Sequence, residues 1–547
     1  MKRLYFSFVL ILATLATIAT PRSNSEKMAI AKSVLQSTGK HSTRSHLSSL
    51  KLIKENAVLT IIGQEQAGFV VIANDDRIHA ILGYSDRSFQ ENVPGLDWWL
   101  KAATEVMTAS AEAGNTPSNY TADKVAIPQL MESEWGQGAP YNNLCPNGKR
   151  GKCPTGCVAT AMSQVLYFHQ YPEKAVGKGS YTYGGKTFAQ NLSGINYAWH
   201  KMQPRYDTPS GEGSEDVATL LFDCGLSINM NYDDSGSGAY NFDASTAMKR
   251  NFSMYSTFYD RTYYTSTEWM DLIYDQLSHN KPVIYGGVSD SDEGLIGHSF
   301  VIDGYREDGL VHVNWGWDGI GNGYYDIALL NPVINGESMS FSKQQNLVVC
   351  QKEPFTVYSN IGMNSISIQK VTDNSISVKV TGVTNLLPDD FKGQVAIIAE
   401  KDGNKHVLSS VDQKLVYGVI YSTVFTETEY SIANLADGEY RIYAAAKSTT
   451  DSDWQIFRAK RGVKNSYILT KENGTFMVVA DNNAWSTDIH SILNKDEDKA
   501  ASITYVYNIN GQQVYSAPSA TFRYSDIPVK GILLIKKGTK VEKIIKK

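Results

Sequence analysis

The first apolar pattern along the chain is an unbroken run from Leu4 to about Ala19, preceded by Lys2 and Arg3 and followed by Pro21, Arg22, Ser23 and Asn24. A charged start, a short apolar core and small residues at its end make up an export signal, here residues 1–24. The run is short of the ~20 residues that a membrane span needs. The expectation is therefore an exported chain with no stable membrane span; an uncleaved anchor is the alternative.

Further on, GFVVIANDDRIHAILGYSD (68–86) reads as two strands joined at Asn74-Asp75-Asp76. Residues 111–123 are rich in Asn, Ser, Thr and Gly without apolar periodicity, which predicts an exposed linker open to proteolysis. Apolar residues then fall at 158, 161, 162, 165 and 166, one face of a helix that Pro172 must end. Thr155 is its expected N-cap. Two apolar runs flank Glu307-Asp308-Gly309 and predict a β-hairpin. Beyond Lys352 short alternating strands such as SISIQKV and GEYRIYAAA predict a β-sandwich, and Asn510-Gly511 predicts a last hairpin in a C-terminal β tail.

Length changes this picture by requiring several domains, since 547 residues exceed one core. Charge changes it little: a net charge of -5 leaves no basic field for nucleic acid. The five cysteines, Cys145, Cys153, Cys157, Cys224 and Cys350, leave an odd thiol in an exported chain. Cys145 and Cys153 could close a small disulfide loop or stay unpaired. No C-x-x-C or His pair has metal-ligand spacing, so no metal and no cofactor is expected.

Chemistry gathers in two places. Cys157 falls in the first turn of the predicted helix, where unsatisfied N–H groups and the helix dipole favour a thiolate. Gly156 leaves room for a substrate backbone. A thiolate nucleophile needs a base, and the base needs a third group to fix its tautomer. The hairpin brings His298 and Asn314 to the same end of the sheet, with Trp315 to exclude water. His312 shares a strand face with Asn314 and competes as the base. His169 reads as a core histidine. The run GWDGIGNGYY (316–325) could line a groove for an extended peptide, and the tyrosines of 255–264 could shape a specificity pocket.

The segments EWGQGAPYN (134–142), TGCVATAMSQVLYFHQYP (155–172), GHSFVIDGY (297–305) and HVNWGWDG (312–319) resemble the streptopain family of secreted bacterial cysteine proteases, whose fold is papain-like. That resemblance implies Cys157 as nucleophile, His298 as base, Asn314 and Trp315 as orienting and shielding residues, and Gln137 as a donor to the oxyanion. It also implies Ser237 and Gly297 as substrate contacts. GFVVIANDDRIHAILGYSD is similar to the family's inhibitory propeptide. The C-terminal stretch looks like the sorting tail of proteins exported by type IX secretion.

The expected layout is an α+β propeptide over 25–122, a papain-like α+β protease domain over 123–352, a sandwich over 353–475 and a β tail over 476–547. The expected protein is a monomeric zymogen endopeptidase, exported or held at a bacterial surface, with peptide substrates and its own propeptide as partners. A papain-like transglutaminase or amidase would use the same pair of residues. A binding module built on an inactive protease domain is a third class, and a missing Cys or His would have argued for it.

Overall fold

In the computed structural model the described residues are 21–38, 49–64, 67–112 and 124–481, apart from short breaks, together with the strands between 503 and 546. The expected export signal (all but residues 21–24), most of the 111–123 linker and the Asn510-Gly511 turn lie outside them. The chain divides into two units, 1–352 and 353–547.

The first unit is built on one antiparallel sheet of ten strands. In chain order its strands, with one separate hairpin, are β1 (Lys51–Glu55), β2 (Leu59–Gln64), β3 (Gly68–Ala73), β4 (Ile81–Ser85), β5 (Lys178–Tyr183), β6 (Lys186–Asn191), β7 (Tyr255–Asp260), β8 (Val283–Ser291), β9 (Gly294–Tyr305), β10 (Val311–Asn314), β11 (Gly323–Tyr325) and β12 (Lys343–Gln351). The sheet order is β1-β2-β3-β4-β11-β10-β9-β8-β12-β7, and β5 pairs only with β6. The N-terminal strands thus extend the sheet that carries His298. The join is β4 to β11, with Tyr84 opposite Tyr324 and Gly83 opposite Tyr325.

The helices are α1 (Asn24–Thr38), α2 (Pro94–Glu112), α3 (Cys157–His169), α4 (Ser214–Ser227), α5 (Asn241–Arg250) and α6 (Ser266–Ser278). All six residues of β3 are buried, as a strand covered on both faces requires, and α1 packs on β2 and β3. Helix α3 buries Val158, Ala161, Met162, Val165 and Leu166 in the main core, together with residues of α4 and α5. It ends where Gln170 turns left-handed, with φ of 45°, two residues before Pro172. Helix α2 buries Trp98 and Trp99, each side chain contributing about 1.5–3 kcal/mol on burial. The Trp99 indole donates to the Asp326 carbonyl at 3.0 Å and packs on Tyr325.

The second unit has a sheet of Phe391–Lys401, Asn404–Leu415, Gly438–Ser448, Ser466–Glu472 and Thr475–Ala480, and a smaller one of Ser365–Thr372, Ser375–Thr381 and Glu429–Ser431. Ile368 and Val378 of one and Val395, Ile397 and Ile442 of the other share an apolar core. A boundary at 475/476 would cut a tight hairpin, because Thr475–Ala480 pairs along its whole length with Ser466–Glu472. Four strands between Ile503 and Lys546 form a separate sheet. The tyrosine-rich stretch 255–264 begins with β7, the outermost strand beyond β12, at the far edge of the sheet from β4.

Candidate active site

Helix α3 starts at Cys157, and its N-cap is Gly156, not Thr155. The reason is steric. Gly156 has φ of +87°, and a Cβ there would lie 2.6 Å from the Met230 sulfur and 3.0 Å from the Ser237 carbonyl oxygen. The Thr155 hydroxyl instead meets the Thr160 hydroxyl at 2.9 Å. With no side chain capping the helix, its first N–H groups stay available. The backbone N–H groups of Ser299, Val158 and Cys157 itself favour the thiolate over the thiol. Burial pushes the thiol's pKa up, and the three N–H groups oppose that rise. Cys157 is half-buried, whereas the other four thiols are buried. Cys145 and Cys153 are both free, so no disulfide closes their loop.

His298 lies on β9 opposite Gly287, one residue before Ser299. Its Nε2 is 3.0 Å from the Trp315 carbonyl, which only accepts, so Nε2 carries the proton. Burial lowers its pKa to about 4. The pair therefore rests as thiol and neutral imidazole. The first turn of α2 lies over this imidazole. A Cβ on Gly95 would come within 2.5 Å of His298 Cδ2 and of Trp315 Cε3. Leu96 lies beside Gly321, whose added Cβ would sit 3.1 Å from the leucine Cδ2. In this state the Gly/Trp-rich run faces the chain's own N-terminal segment.

Asn314 ends β10 opposite Val301, as a hairpin predicts. Its side chain does not reach His298, contrary to the expected orienting role. Nδ2 donates to the Ser133 carbonyl at 2.7 Å and to Gln164 Oε1 at 2.8 Å, while Oδ1 accepts from the Gly316 N–H at 3.1 Å. Helix α3 has saturated the amide, and the neighbouring Trp315 carbonyl meets the imidazole instead. Trp315 is fully buried, its indole donating to the Gly321 carbonyl at 3.0 Å. Gln164, unnoticed in the sequence, also accepts from the Trp135 N–H at 3.2 Å. It thereby joins the cysteine helix to the loops carrying Trp315 and Gln137. Its signal was a polar residue two turns beyond Cys157 on an apolar helix.

Gln137 is buried, and its carbonyl accepts from the Thr155 N–H at 3.1 Å, next to the start of α3. Ser237 borders Gly156 through its carbonyl. Gly297 is exposed on β9 immediately before His298. His312, the competing base, is held elsewhere: its Nδ1 is 2.5 Å from Asp303, whose other oxygen accepts from the Met131 N–H at 2.9 Å. His169 is half-buried at the end of α3, packed edge-on against Phe168. Among the described residues, no group of three or more His, Cys, Asp or Glu could hold a metal ion.

Residues 135–325 match the peptidase C10 family. The chain is 30% identical over 315 residues to streptopain of Streptococcus pyogenes, covering 52% of this chain and 77% of that protein. It is 30% identical over 388 residues to the thiol protease/hemagglutinin PrtT of Porphyromonas gingivalis, covering 64% of this chain. It spans only 44% of that longer protein. A solved fragment of Prevotella intermedia prointerpain A, carrying a cysteine-to-alanine mutation, superposes with a TM-score of 0.51 at 34% identity, over 56% of this chain and 99% of the fragment.

Proposed function

The chain belongs to the peptidase C10 family, and from that premise we propose that it is an exported cysteine endopeptidase made as a zymogen, with Cys157 as nucleophile and His298 as base. The observation that carries this reading is that Cys157 opens helix α3 with no side chain capping its first N–H groups, and that α3 packs against β9, the strand that carries His298.

In the active arrangement His298 takes the thiol proton and the sulfur attacks a peptide carbonyl carbon. The carbonyl π electrons move to oxygen, which the Cys157 N–H and the Gln137 side chain receive. Collapse of this adduct breaks the C–N bond, and the amine leaves with the proton from His298. The thioester is then opened by water, which gives a proton to His298 and returns the thiol. Ser237 and Gly297 border the substrate. Asn314 fixes the loop that presents the Trp315 carbonyl to the imidazole.

Residues up to about 122 act as the inhibitor. The contact of Gly95 with His298 and Trp315 supports this, because it occupies the space over the imidazole. Residues 1–24 direct export, placing the enzyme outside a bacterial cell or at its surface, and the C-terminal strands serve as a sorting domain. Among the described residues no helix is long and apolar enough to cross a membrane.

The test uses the trimmed protein under reducing conditions, assayed for casein cleavage and, in parallel, for incorporation of an amine into casein. Wild type should cleave, and Cys157→Ala and His298→Ala should each lose nearly all cleavage. Amine incorporation without cleavage would move the assignment to a transglutaminase.

A further inference from the structure

The imidazole of His298 meets a backbone carbonyl, that of Trp315, at 3.0 Å from Nε2. A carbonyl has no torsion of its own. It shares a plane with the N–H of the next residue, so whatever holds that N–H also aims the carbonyl. The next residue is Gly316, and its N–H donates to Asn314 Oδ1 at 3.1 Å. The Asn314 side chain therefore grips the far end of the very peptide that faces His298. The preceding peptide is held separately, the Trp315 N–H donating to Asn322 Oδ1 at 2.9 Å.

What holds Asn314 is decided by groups that can only donate or only accept. The Ser133 carbonyl accepts from Asn314 Nδ2 at 2.7 Å, which with the Gly316 N–H leaves this amide one orientation. The second hydrogen of Nδ2 goes to Gln164 Oε1 at 2.8 Å. The Trp135 N–H donates to the same Oε1 at 3.2 Å, which orients the Gln164 amide in turn, and Gln164 Nε2 lies 3.5 Å from Asn314 Oδ1. The two amides face each other as a pair. Gln164 and Asn314 are 0% and 1% exposed, so water does not substitute for these bonds. Gln164 follows Cys157 on α3 by close to two full turns, which puts both on the same side of the helix. Thr160, between them on that side, lies against the same peptide: a Cβ on Gly316 would be 3.2 Å from Thr160 Cγ2.

We propose that Gln164 is a positioning residue for His298: it locks the Asn314 amide, and through it the peptide between Trp315 and Gly316. The Trp315 carbonyl then holds the Nε2 proton, and Nδ1 is left to take the proton of the thiol. One side chain on the helix of the nucleophile thereby sets where the base stands. Being fully buried, Gln164 reaches no substrate and acts through Asn314. The role rests on His298 being the base of the proposed reaction, so the test reads the imidazole itself as well as turnover.

The experiment is proton NMR of the full chain carrying Cys157→Ala, which cannot trim itself. The His298 Nε2–H gives a downfield ring resonance, identified by its loss in a His298→Gln chain. Gln164→Met, close in shape but without the amide, and Asn314→Ala should each move that resonance upfield. The double variant should move it no further than Asn314→Ala alone. In the trimmed enzyme with Cys157 present, Gln164→Met should lower kcat by about ten- to a hundredfold and leave KM unchanged. An unmoved resonance in folded Gln164→Met overturns the proposal, and an unmoved resonance in Asn314→Ala does so even if Gln164→Met fails to fold. A raised KM at unchanged kcat overturns it too, because Gln164 would then shape substrate binding instead. If the trimmed wild type cleaves nothing, the endopeptidase reading fails by itself, and the resonance still decides whether Gln164 positions His298.

Discussion

At the scale of single residues, the site combines two opposed pKa shifts. Burial raises the Cys157 thiol, and burial lowers His298 to about 4, so neither is charged while α2 covers them. For His298 the sign is definite. Its folded pKa lies below the unfolded value of about 6.5, so the unfolded chain binds the extra proton first. Stability is therefore lost as pH falls from about 6.5 towards 4, by up to about 3 kcal/mol. In a Cys157→Ala precursor, which cannot trim itself, the Tm should fall over that window. Adding His298→Gln should reduce the fall, and equal slopes in the two proteins would refute the assignment.

The residue scale is also where sequence reading reached its limit. Cys157 and His298 were legible, one from the helical spacing around it and one from a hairpin with a clear turn. The partners of Asn314 were not, because Gln164 lies 150 positions away and meets it only once α3 lies across the sheet.

Elements decide whether the site is open. Helix α2 is held by Trp98 on Phe300, by Trp99 on Tyr325 and Asp326, and by Leu96 at Gly321. Gly95 is where it comes nearest to the imidazole, and no side chain fits between them. A substitution there must move the helix away from the buried, packed pair below. Gly95→Leu is expected to speed self-trimming several-fold, read by gel against wild type, while leaving the trimmed enzyme's kcat unchanged. A slower rate would mean that the helix does not restrain His298. Strand content and the helix around Cys157 could be read from apolar periodicity. The placement of α2 over the site could not, because its apolar face fits any sheet. The Thr155 cap failed because the tight approach of Met230 and Ser237 demands glycine next to the cysteine, and local propensity does not see such contacts.

For the molecule as a whole, the ten-stranded sheet is where the proposed propeptide and the proposed protease domain join, between β4 and β11. On the proposed function, removing the N-terminal segment would part the sheet between β4 and β11 and leave the strands from β11 to β7 in place. The segment that must stay is fixed by its own bonds. The Ile127 N–H donates to the Tyr305 carbonyl at 2.7 Å, and the Leu130 N–H to the Asp303 carbonyl at 2.8 Å. Trimming is therefore expected between α2 and Ile127, in the stretch whose composition marks it as an exposed linker. The division at 352/353 coincides with the change from mixed to alternating patterning, whereas the strand Thr475–Ala480 gave no sign of which unit it joins until its pairing was seen.

The most direct measurement incubates the precursor, without residues 1–24, under reducing conditions beside the same protein carrying Cys157→Ala, following size by gel and activity by casein release. Trimming ahead of Ile127 with a rise in casein cleavage, in wild type alone, is the predicted result. A wild-type chain that is trimmed there by an added protease and still cleaves no casein would contradict the account.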